Sequence, residues 1–274
     1  MRSYLTLAIP ITLLMLAWSP LQAQTPLKTV YVSADVYART YKDETQTGMW
    51  AGTDKHVFIW NASGENDQES GFFNNPTMDA TDVTGYHREP RRYVLDTARN
   101  IDGVLVRPGD VAAVTSFLSD PTIVFDGRAN GVPDGVRIDA VSLDPDSGDL
   151  VLSFDRSFAA GALFRKSDLV RWNGVSFQHF FQGDGLPDAA DINGAHVLNS
   201  GGILMTFESG ITVPGQGGPL YVRDDEVVEY DPDNGWFVAT AVDLNEHPDW
   251  IQAGFDALAA IEGGDALFAD RFEE

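Results

Sequence analysis

Apolar residues along the chain alternate or cluster in short runs that Gly, Pro, Asp and Asn interrupt. A period of two is the pattern of half-buried strands, whereas an amphipathic helix needs a period near 3.6. Long runs with the helical period are hard to find in this sequence. The pattern therefore predicts an all-β protein.

The clearest unit of the pattern contains two hairpins. The runs 138–143 and 149–154 predict the first hairpin, and the runs 168–173 and 176–182 predict the second. A loop of about a dozen residues joins the two hairpins. Asn173-Gly174 connects the last two runs, and Asn-Gly between apolar runs is the strongest short-range hairpin signal. Four antiparallel strands per unit is the composition of a β-propeller blade.

The chain contains internal copies of this unit, which is the signature of a repeat architecture. Most copies open on an apolar residue followed by Asp-Ala, at 78–80, 138–140 and 255–257, with a degenerate copy at 192–195. An arginine followed three residues later by an acid recurs as Arg107 with Asp110, Arg165 with Asp168, and Arg223 with Glu226. We expect these residues, and Asp54 at a matching position, to form local ion pairs that hold loops against strands.

The copies can be counted. Units with all four strands begin near Met78, Ile138 and Ile192, whereas the N-terminal part begins within a unit, with Val30–Asp35 as a second strand. The missing first strand is predicted at 255–261, and pairing it with the N-terminal strands would leave no exposed sheet edge. We therefore expect a β-propeller of about four four-stranded blades, closed by pairing of N- and C-terminal strands. A fifth blade within 62–77 and an open β-sandwich are the alternatives.

The first residues have the layout of a secretory signal peptide, with Arg2, an apolar run from Leu5 to Trp18, and Ala23 before the expected cleavage point. An uncleaved anchor is the alternative. The apolar run is shorter than the roughly 20 residues of a membrane span, and Pro10 interrupts it. We expect a signal peptide at 1–23, a single repeat domain at 24–263, and a C-terminal tail or last strand at 264–274.

Composition narrows the cellular location and the classes of partner that we expect. The chain has no cysteine, so an exported protein of this size is expected to rely on its core, as bacterial proteins do. A formal net charge of −23 at pH 7 opposes binding to nucleic acid or anionic lipid. We expect no nucleic acid, no transmembrane segment after cleavage, and an unknown protein or glycan as partner. The expected location is the periplasm, cell surface or exterior of a Gram-negative bacterium.

Several segments carry a resemblance to known sequences. Leu152-Ser-Phe154, Val213-Pro-Gly215, Asp225-Glu226 and Phe125-Asp-Gly127 are similar to the repeat of uncharacterised exported bacterial β-propeller-like proteins. The resemblance covers most of 78–261 and implies a propeller-like repeat, without an activity.

The last ten residues, 265–274, resemble the Asp-x-Leu-Phe-x-Asp-x-Phe-Glu ending of some Gram-negative exported proteins. The sequence departs from that ending at Arg271, where Gly is usual. The alternative interpretation is that 264–269 forms another second strand that matches 148–153.

Four residues at equivalent places of the repeat form a candidate calcium site: Asp79, Asp139, Asp256 and Asn193. In a closed ring they would lie at similar heights around one axis, and Ca²⁺ takes about six to eight oxygen ligands. The alternative is structural, because an Asp or Asn at the start of a strand also caps a turn by accepting backbone N–H bonds. No other cofactor is expected.

The stretch 144–149, Asp-Pro-Asp-Ser-Gly-Asp, has the letters of either a calcium loop or a tight turn. At the same place the other copies keep a turn but not the acids, and 231–235 repeats Asp-Pro-Asp-Asn-Gly in another hairpin. Asp, Pro and Gly each favour turn geometry. We therefore predict a turn.

The stretch 61–91 is polar and the least repetitive, and long loops often carry function. Phe72, Phe73, Tyr86 and His87 are the predicted binding loop. No serine-hydrolase elbow or phosphate-binding glycine loop occurs, so no catalytic residue is assigned. We expect an exported, non-enzymatic β-propeller-like binding or scaffold protein. The alternatives are a secreted propeller enzyme, such as a polysaccharide hydrolase or lyase that uses carboxylates, and a calcium-stabilised structural repeat protein.

Overall fold

The computed structural model describes residues 27–34, 38–41, 49–52, 57–61, 66–68, 81–115, 120–215, 217–238 and 254–262. Every regular secondary-structure element in these ranges is a β-strand, as the sequence pattern predicts. No helix within the described ranges has the length and apolar character to cross a bilayer. The predicted signal peptide and the tail at 264–274 lie outside the described residues.

The described strands are, in chain order, β1 (Leu27–Ala34), β2 (Ala38–Tyr41), β3 (Met49–Gly52), β4 (Val57–Asn61), β5 (Asn66–Gln68), β6 (Val83–His87), β7 (Arg92–Leu95), β8 (Arg99–Ile101), β9 (Val104–Val106), β10 (Val111–Ala113), β11 (Thr122–Phe125), β12 (Ile138–Leu143), β13 (Leu150–Phe154), β14 (Phe158–Ala159), β15 (Leu163–Phe164), β16 (Leu169–Trp172), β17 (Phe177–Phe181), β18 (Ile192–Val197), β19 (Ile203–Phe207), β20 (Ile211–Gly215), β21 (Gly218–Val222), β22 (Val228–Asp231), β23 (Gly235–Val238) and β24 (Phe255–Glu262).

Four antiparallel sheets repeat one strand order. They are β6-β7-β10-β11, β12-β13-β16-β17, β18-β19-β22-β23 and β24-β1-β4-β5. In the last sheet β24 occupies the first place and lies antiparallel to β1, from Leu27 opposite Glu262 to Ala34 opposite Phe255. We call β6, β12, β18 and β24 the first strands, because each begins its sheet.

A short hairpin lies between the second and third strands of each sheet. These hairpins are β2–β3, β8–β9, β14–β15 and β20–β21. The sequence predicted a plain loop after β13, whereas the structure places β14 and β15 there. Strands of two residues are too short to show a periodic pattern, which is why the sequence did not predict them. The β20–β21 hairpin also extends its sheet, through one parallel bridge between Gly215 and Trp236.

The two Asp-Pro turns have the geometry that their sequence predicts. The Asp144 carboxylate accepts hydrogen bonds from the Asp146 N–H (3.1 Å) and the Ser147 hydroxyl (2.8 Å), and Gly148 has φ +76°. In the later hairpin, Asp231 accepts the backbone N–H of Asp233 at 2.7 Å. An aspartate that bonds to its own turn in this way stabilises a hairpin. The prediction of turns is confirmed.

The apolar core lies between adjacent sheets rather than at a single centre. Its clusters join the β24 sheet to the β6 sheet, the β6 sheet to the β12 sheet, and the β12 sheet to the β18 sheet. The first strands contact one another in the order β6, β12, β18, β24, and β24 contacts β6. Trp236 and Phe181 are buried in the core, and the partly buried Tyr230 packs against Trp236.

The recurring acids after the arginines accept backbone hydrogen bonds. Buried Asp168 accepts the N–H groups of Arg165 and Gly183, both at 2.9 Å, and so ties the start of a third strand to the end of the fourth. Asp110 makes the same two bonds in its own sheet. The predicted ion pairs form only in part, because Arg165 pairs with the exposed Asp184 at 3.7 Å instead of Asp168.

Replacing Asp168 by alanine is expected to lower the free energy of unfolding by about 2–4 kcal/mol, because the N–H groups of Arg165 and Gly183 would lose their acceptor. Urea unfolding followed by circular dichroism measures this loss. The control is Asp184→Ala at the exposed surface, which should change stability by less than about 1 kcal/mol. An equal effect of both variants would contradict a structural role for the buried carboxylate.

Candidate functional site

Each first strand has a β-bulge at its second residue, and this bulge brings one polar side chain per strand to the same register. The register shifts fall between Val83 and Gly85, Ile138 and Ala140, Ile192 and Gly194, and opposite Phe255 and Ala257. The second residues are Thr84, Asp139, Asn193 and Asp256, which we call the bulge set. All four are buried, with 6–8% of their surface exposed.

The bulge set contains three of the four residues predicted as calcium ligands. The fourth, Asp79, lies outside the described residues, and in β6 the corresponding register position belongs to Thr84. The sequence placed the first strand of this unit near Met78, whereas β6 begins five residues later at Val83. The apolar-Asp-Ala letters at 78–80 therefore do not mark β6.

Two members of the bulge set donate hydrogen bonds to a neighbouring first strand. The Thr84 hydroxyl donates to the carbonyl of Ile138 at 3.0 Å. The Asn193 amide nitrogen donates to the carbonyl of Phe255 at 2.8 Å and to the Asp256 carboxylate at 2.9 Å. These bonds hold β6 to β12 and β18 to β24. Asn193 thus directs N–H groups, not its oxygen, toward Asp256.

Burial changes the acidity of the carboxyl groups at this end of the first strands. It raises the pKa of Asp139 to about 8, with smaller contributions from the charges of Asp191 and Asp155. It also raises the pKa of Asp191 to about 6, although Lys166, 3.3 Å away, acts in the opposite direction. Asp139 therefore carries a proton at neutral pH.

A protonated carboxyl is a poor ligand for Ca²⁺, which prefers ionised oxygen ligands. Within the described ranges, no group of three or more His, Asp or Glu side chains is arranged to hold a metal ion. Calcium binding by Asp79, Asp139, Asn193 and Asp256 stays a prediction.

Two histidines meet at the opposite end of the first strands. His87 on β6 and His196 on β18 stack with ring centroids 5.7 Å apart and an interplanar angle of 23°. Both side chains are buried, with 7% of their surface exposed. In the bulge register they take the same place on their strands, which β12 fills with Ser142 and β24 with Ala259.

Both imidazoles are neutral at neutral pH. Burial lowers the pKa of His87 to about 4, with a further lowering from Arg92. Burial, followed by the proximity of His87, lowers the pKa of His196 to about 3. The His87 Nε2 lies 3.0 Å from the Glu89 carbonyl, which only accepts, so this nitrogen donates its proton. The Nδ1 atoms of both rings have no hydrogen-bond partner among the described residues.

The histidine pair opens into a cavity of about 360 Å³, which we call the histidine-end pocket. Its polar lining comes from His87, Arg88, Glu89, Asp144, His196, Asn199 and Glu262. Glu262 accepts the Asn199 N–H at 2.5 Å, and Ala260 contributes a small side chain to the wall. The pocket therefore has a largely polar lining that includes two histidines, each with a buried Nδ1 atom that lacks a hydrogen-bond partner among the described residues.

The predicted binding loop differs from the structure. Tyr86 and His87 lie in strand β6 and not in a loop, and Tyr86 is part of the core. Phe72 and Phe73 lie outside the described residues. His196 is not among the predicted site residues, although Gly85-Tyr-His87 and Gly194-Ala-His196 repeat Gly-x-His at equivalent places.

Comparisons with known proteins give no family. No family model matches the chain, and no curated protein matches it. The structure titled YCF48 bound to D1 peptide is 11% identical, covers 77% of this chain and 69% of its own, and has a TM-score of 0.31. Two structures of the extracellular domain of BT4673 from B. thetaiotaomicron are 12% identical with TM-scores of 0.35 and 0.33.

The likeness to the two BT4673 structures covers 78% and 85% of this chain, and this chain spans 34% of their length. Because the TM-scores lie below 0.5, these likenesses assign no function to the chain.

Proposed function

We propose that this chain is an exported, non-enzymatic binding protein whose ligand occupies the histidine-end pocket. One observation carries the proposal, namely that His87 and His196 both line this pocket and that their buried Nδ1 atoms have no hydrogen-bond partner among the described residues. Buried polar atoms in proteins are nearly always hydrogen-bonded, so exceptions call for an explanation. A ligand that bonds to these nitrogens is such an explanation.

The proposed architecture is a four-bladed propeller ring that β24 closes. Four sheets with one strand order support it, as does the contact of each first strand with the next. In such a ring the first strands surround a central axis, and the histidine-end pocket is one mouth of that axis. Pockets at the junction of several structural units are common ligand sites.

The two histidines of this pocket suit binding better than acid–base catalysis. General acid–base catalysis at neutral pH needs a group whose pKa is close to 7. The pKa values of about 4 for His87 and about 3 for His196 are far from that range. The Asp144 carboxylate is engaged by Ser147 and, at 2.7 Å, by Arg171. These groups are therefore set to hold a ligand rather than to transfer its protons.

Export is part of the proposal and rests on the sequence of 1–23. The absence of cysteine and the net charge of −23 agree with a protein that works outside the cytoplasm. The pocket volume of about 360 Å³ suits one small molecule or one side chain of a protein or glycan partner.

Filling the pocket tests the proposal. Ala260→Trp introduces a large side chain into the pocket wall, whereas Ala159→Trp, at an exposed position of β14, is the matched control. Saturation-transfer NMR with a fragment library of amines, amino acids and sugars should detect at least one ligand of the unaltered protein. We expect the Ala260→Trp variant to lose that signal and the Ala159→Trp variant to keep it. A folded protein that binds no fragment, or equal binding by both variants, contradicts the proposal.

A further inference from the structure

We infer that the histidine-end pocket receives a primary ammonium group. The inference rests on the proposed function, because it takes this pocket as the ligand site and assigns the chemical class of the ligand. Hydrogen-bonding capacity, charge and ring geometry support it.

The pocket has acceptors that need a donor. Since the His87 Nε2–H donates to the Glu89 carbonyl, the His87 Nδ1 carries only a lone pair. His196 is also a neutral imidazole, and 93% of its surface is buried. A ligand completes the His87 ring by donating a hydrogen bond, and an ammonium group has three N–H donors and no acceptor.

The charges of the lining favour a cation. Arg88, the one basic lining residue among the described residues, lies 3.9 Å from the Glu89 carboxylate and 5.6 Å from the centre of the Tyr31 ring. Arg171 neutralises Asp144. Glu262 accepts the Asn199 N–H and forms no ion pair with a described residue, and burial raises its pKa. A bound cation would provide the positive partner that the Glu262 carboxylate lacks.

The carboxyl group of Glu229, near Glu262, strengthens the preference of the pocket for a cation. Burial, and then the charges of Asp231 and Glu262, raises the pKa of Glu229 to about 7. Two carboxyl groups near each other without a described cation are costly to ionise together. An anionic ligand would add to this repulsion, whereas an ammonium group would relieve it.

The ring geometry argues against a metal ion as the occupant. Because the two imidazole rings are inclined by only 23°, their in-plane lone pairs lie in nearly parallel planes and do not converge on one ion. Metal ligation by two histidines requires both lone pairs to point at the same centre. An ammonium group needs to donate to only one of the two rings, and its other two N–H bonds are then available to oxygen acceptors of the lining.

Three probes of similar size and different charge test the inference: n-butylammonium, n-butanol and butyrate. The readout is the NMR shift of the ring Cε1–H signals of His87 and His196 during titration. We expect saturable binding of n-butylammonium, with n-butanol at least about tenfold weaker, because hydrogen bonds from a charged donor are the stronger ones. Butyrate should not bind. Binding of butyrate or n-butanol as tight as that of n-butylammonium overturns the inference.

Glu262→Gln should weaken the binding of n-butylammonium by about tenfold or more and leave n-butanol unchanged. The glutamine keeps the oxygen that accepts the Asn199 N–H, so the fold is retained. The matched control is Glu208→Gln, at an exposed position near the opposite end of the first strands. An unchanged affinity in Glu262→Gln overturns the assignment of Glu262 as the counter-charge.

The ammonium group of a natural ligand comes from a free amine or from a lysine side chain. Nα-acetyl-lysine N-methylamide represents the lysine side chain in the same titration. Affinity equal to that of n-butylammonium identifies a lysine-bearing partner, and weaker affinity identifies a free amine. If a library fragment binds in the pocket while no ammonium probe does, the inference is wrong and the proposed function stands.

Discussion

Asp139→Asn is expected to raise the free energy of unfolding at pH 9 by about 3–6 kcal/mol and to have little effect at pH 4. The folded protein holds the Asp139 proton up to a pKa of about 8, whereas the unfolded chain releases it near 3.8. The native state therefore binds more protons between these values, and stability falls by about 1.4 kcal/mol per pH unit as pH rises. Asparagine is neutral at every pH and removes this loss. Urea unfolding from pH 4 to pH 9, in EDTA, measures it.

The control for this prediction is Asp188→Asn, which changes an exposed aspartate. Its effect should be small at every pH. A gain in Asp139→Asn that is the same at pH 4 and pH 9 would show that the carboxyl is not protonated in the folded state. If added calcium stabilises the unaltered protein at pH 9 but not Asp139→Asn, the calcium prediction gains support instead.

His196→Phe is expected to protect the protein against acid. The unfolded chain takes up a proton at this histidine near pH 6.5, whereas the folded protein does so only near a pKa of about 3. The histidine therefore contributes stability above pH 6.5 that is lost as the pH falls, at about 1.4 kcal/mol per unit. Relative to the unaltered protein, the variant should gain about 2–3 kcal/mol between pH 6.5 and pH 4.5. Thermal unfolding at both pH values measures the gain.

The stability of the variant must be compared with that of the unaltered protein at each pH. Asp139 and Asp191 change the stability of both proteins in the opposite direction over the same pH range. The control is Met205→Leu, a buried change on the adjacent strand β19 that carries no titratable group. Its effect on stability should not depend on pH. If the difference between His196→Phe and the unaltered protein is constant from pH 6.5 to 4.5, the histidine is not held neutral by burial.

Local patterns predicted the strands of the best repeat closely. The expected runs 138–143 and 149–154 correspond to β12 and β13, and the hairpin at Asn173-Gly174 has its asparagine accepting the N–H of Ser176 at 2.9 Å. These elements follow from alternation and turn chemistry, which act within a few residues. Their prediction from sequence needs no knowledge of the rest of the fold.

Local sequence patterns did not predict the register of β6. Its second residue is Thr84 instead of an aspartate, and its bulge precedes Gly85, so the letters that identify the other first strands are absent. Thr84, like Asn193 in β18, donates a hydrogen bond from this position to the neighbouring first strand. Different residue types therefore provide the same hydrogen bond between first strands, and sequence matching does not detect this equivalence.

The site was predictable only in part. Equal spacing in the repeat predicted that Asp139, Asn193 and Asp256 share one position, and the bulges place them there. The pairing of His87 with His196 depends on which first strands face each other. That is a property of the assembled sheets, and no local pattern contains it.

The position of β24 beside β1 has a consequence for folding kinetics. More than 200 residues separate the two strands, yet β24 supplies the first strand of a sheet whose other members are N-terminal. This sheet cannot be completed until the remaining sheets have brought the distant segments together, and such non-local pairings slow folding. Until then the edge of β1 exposes unpaired backbone groups, which makes the partly folded chain prone to self-association.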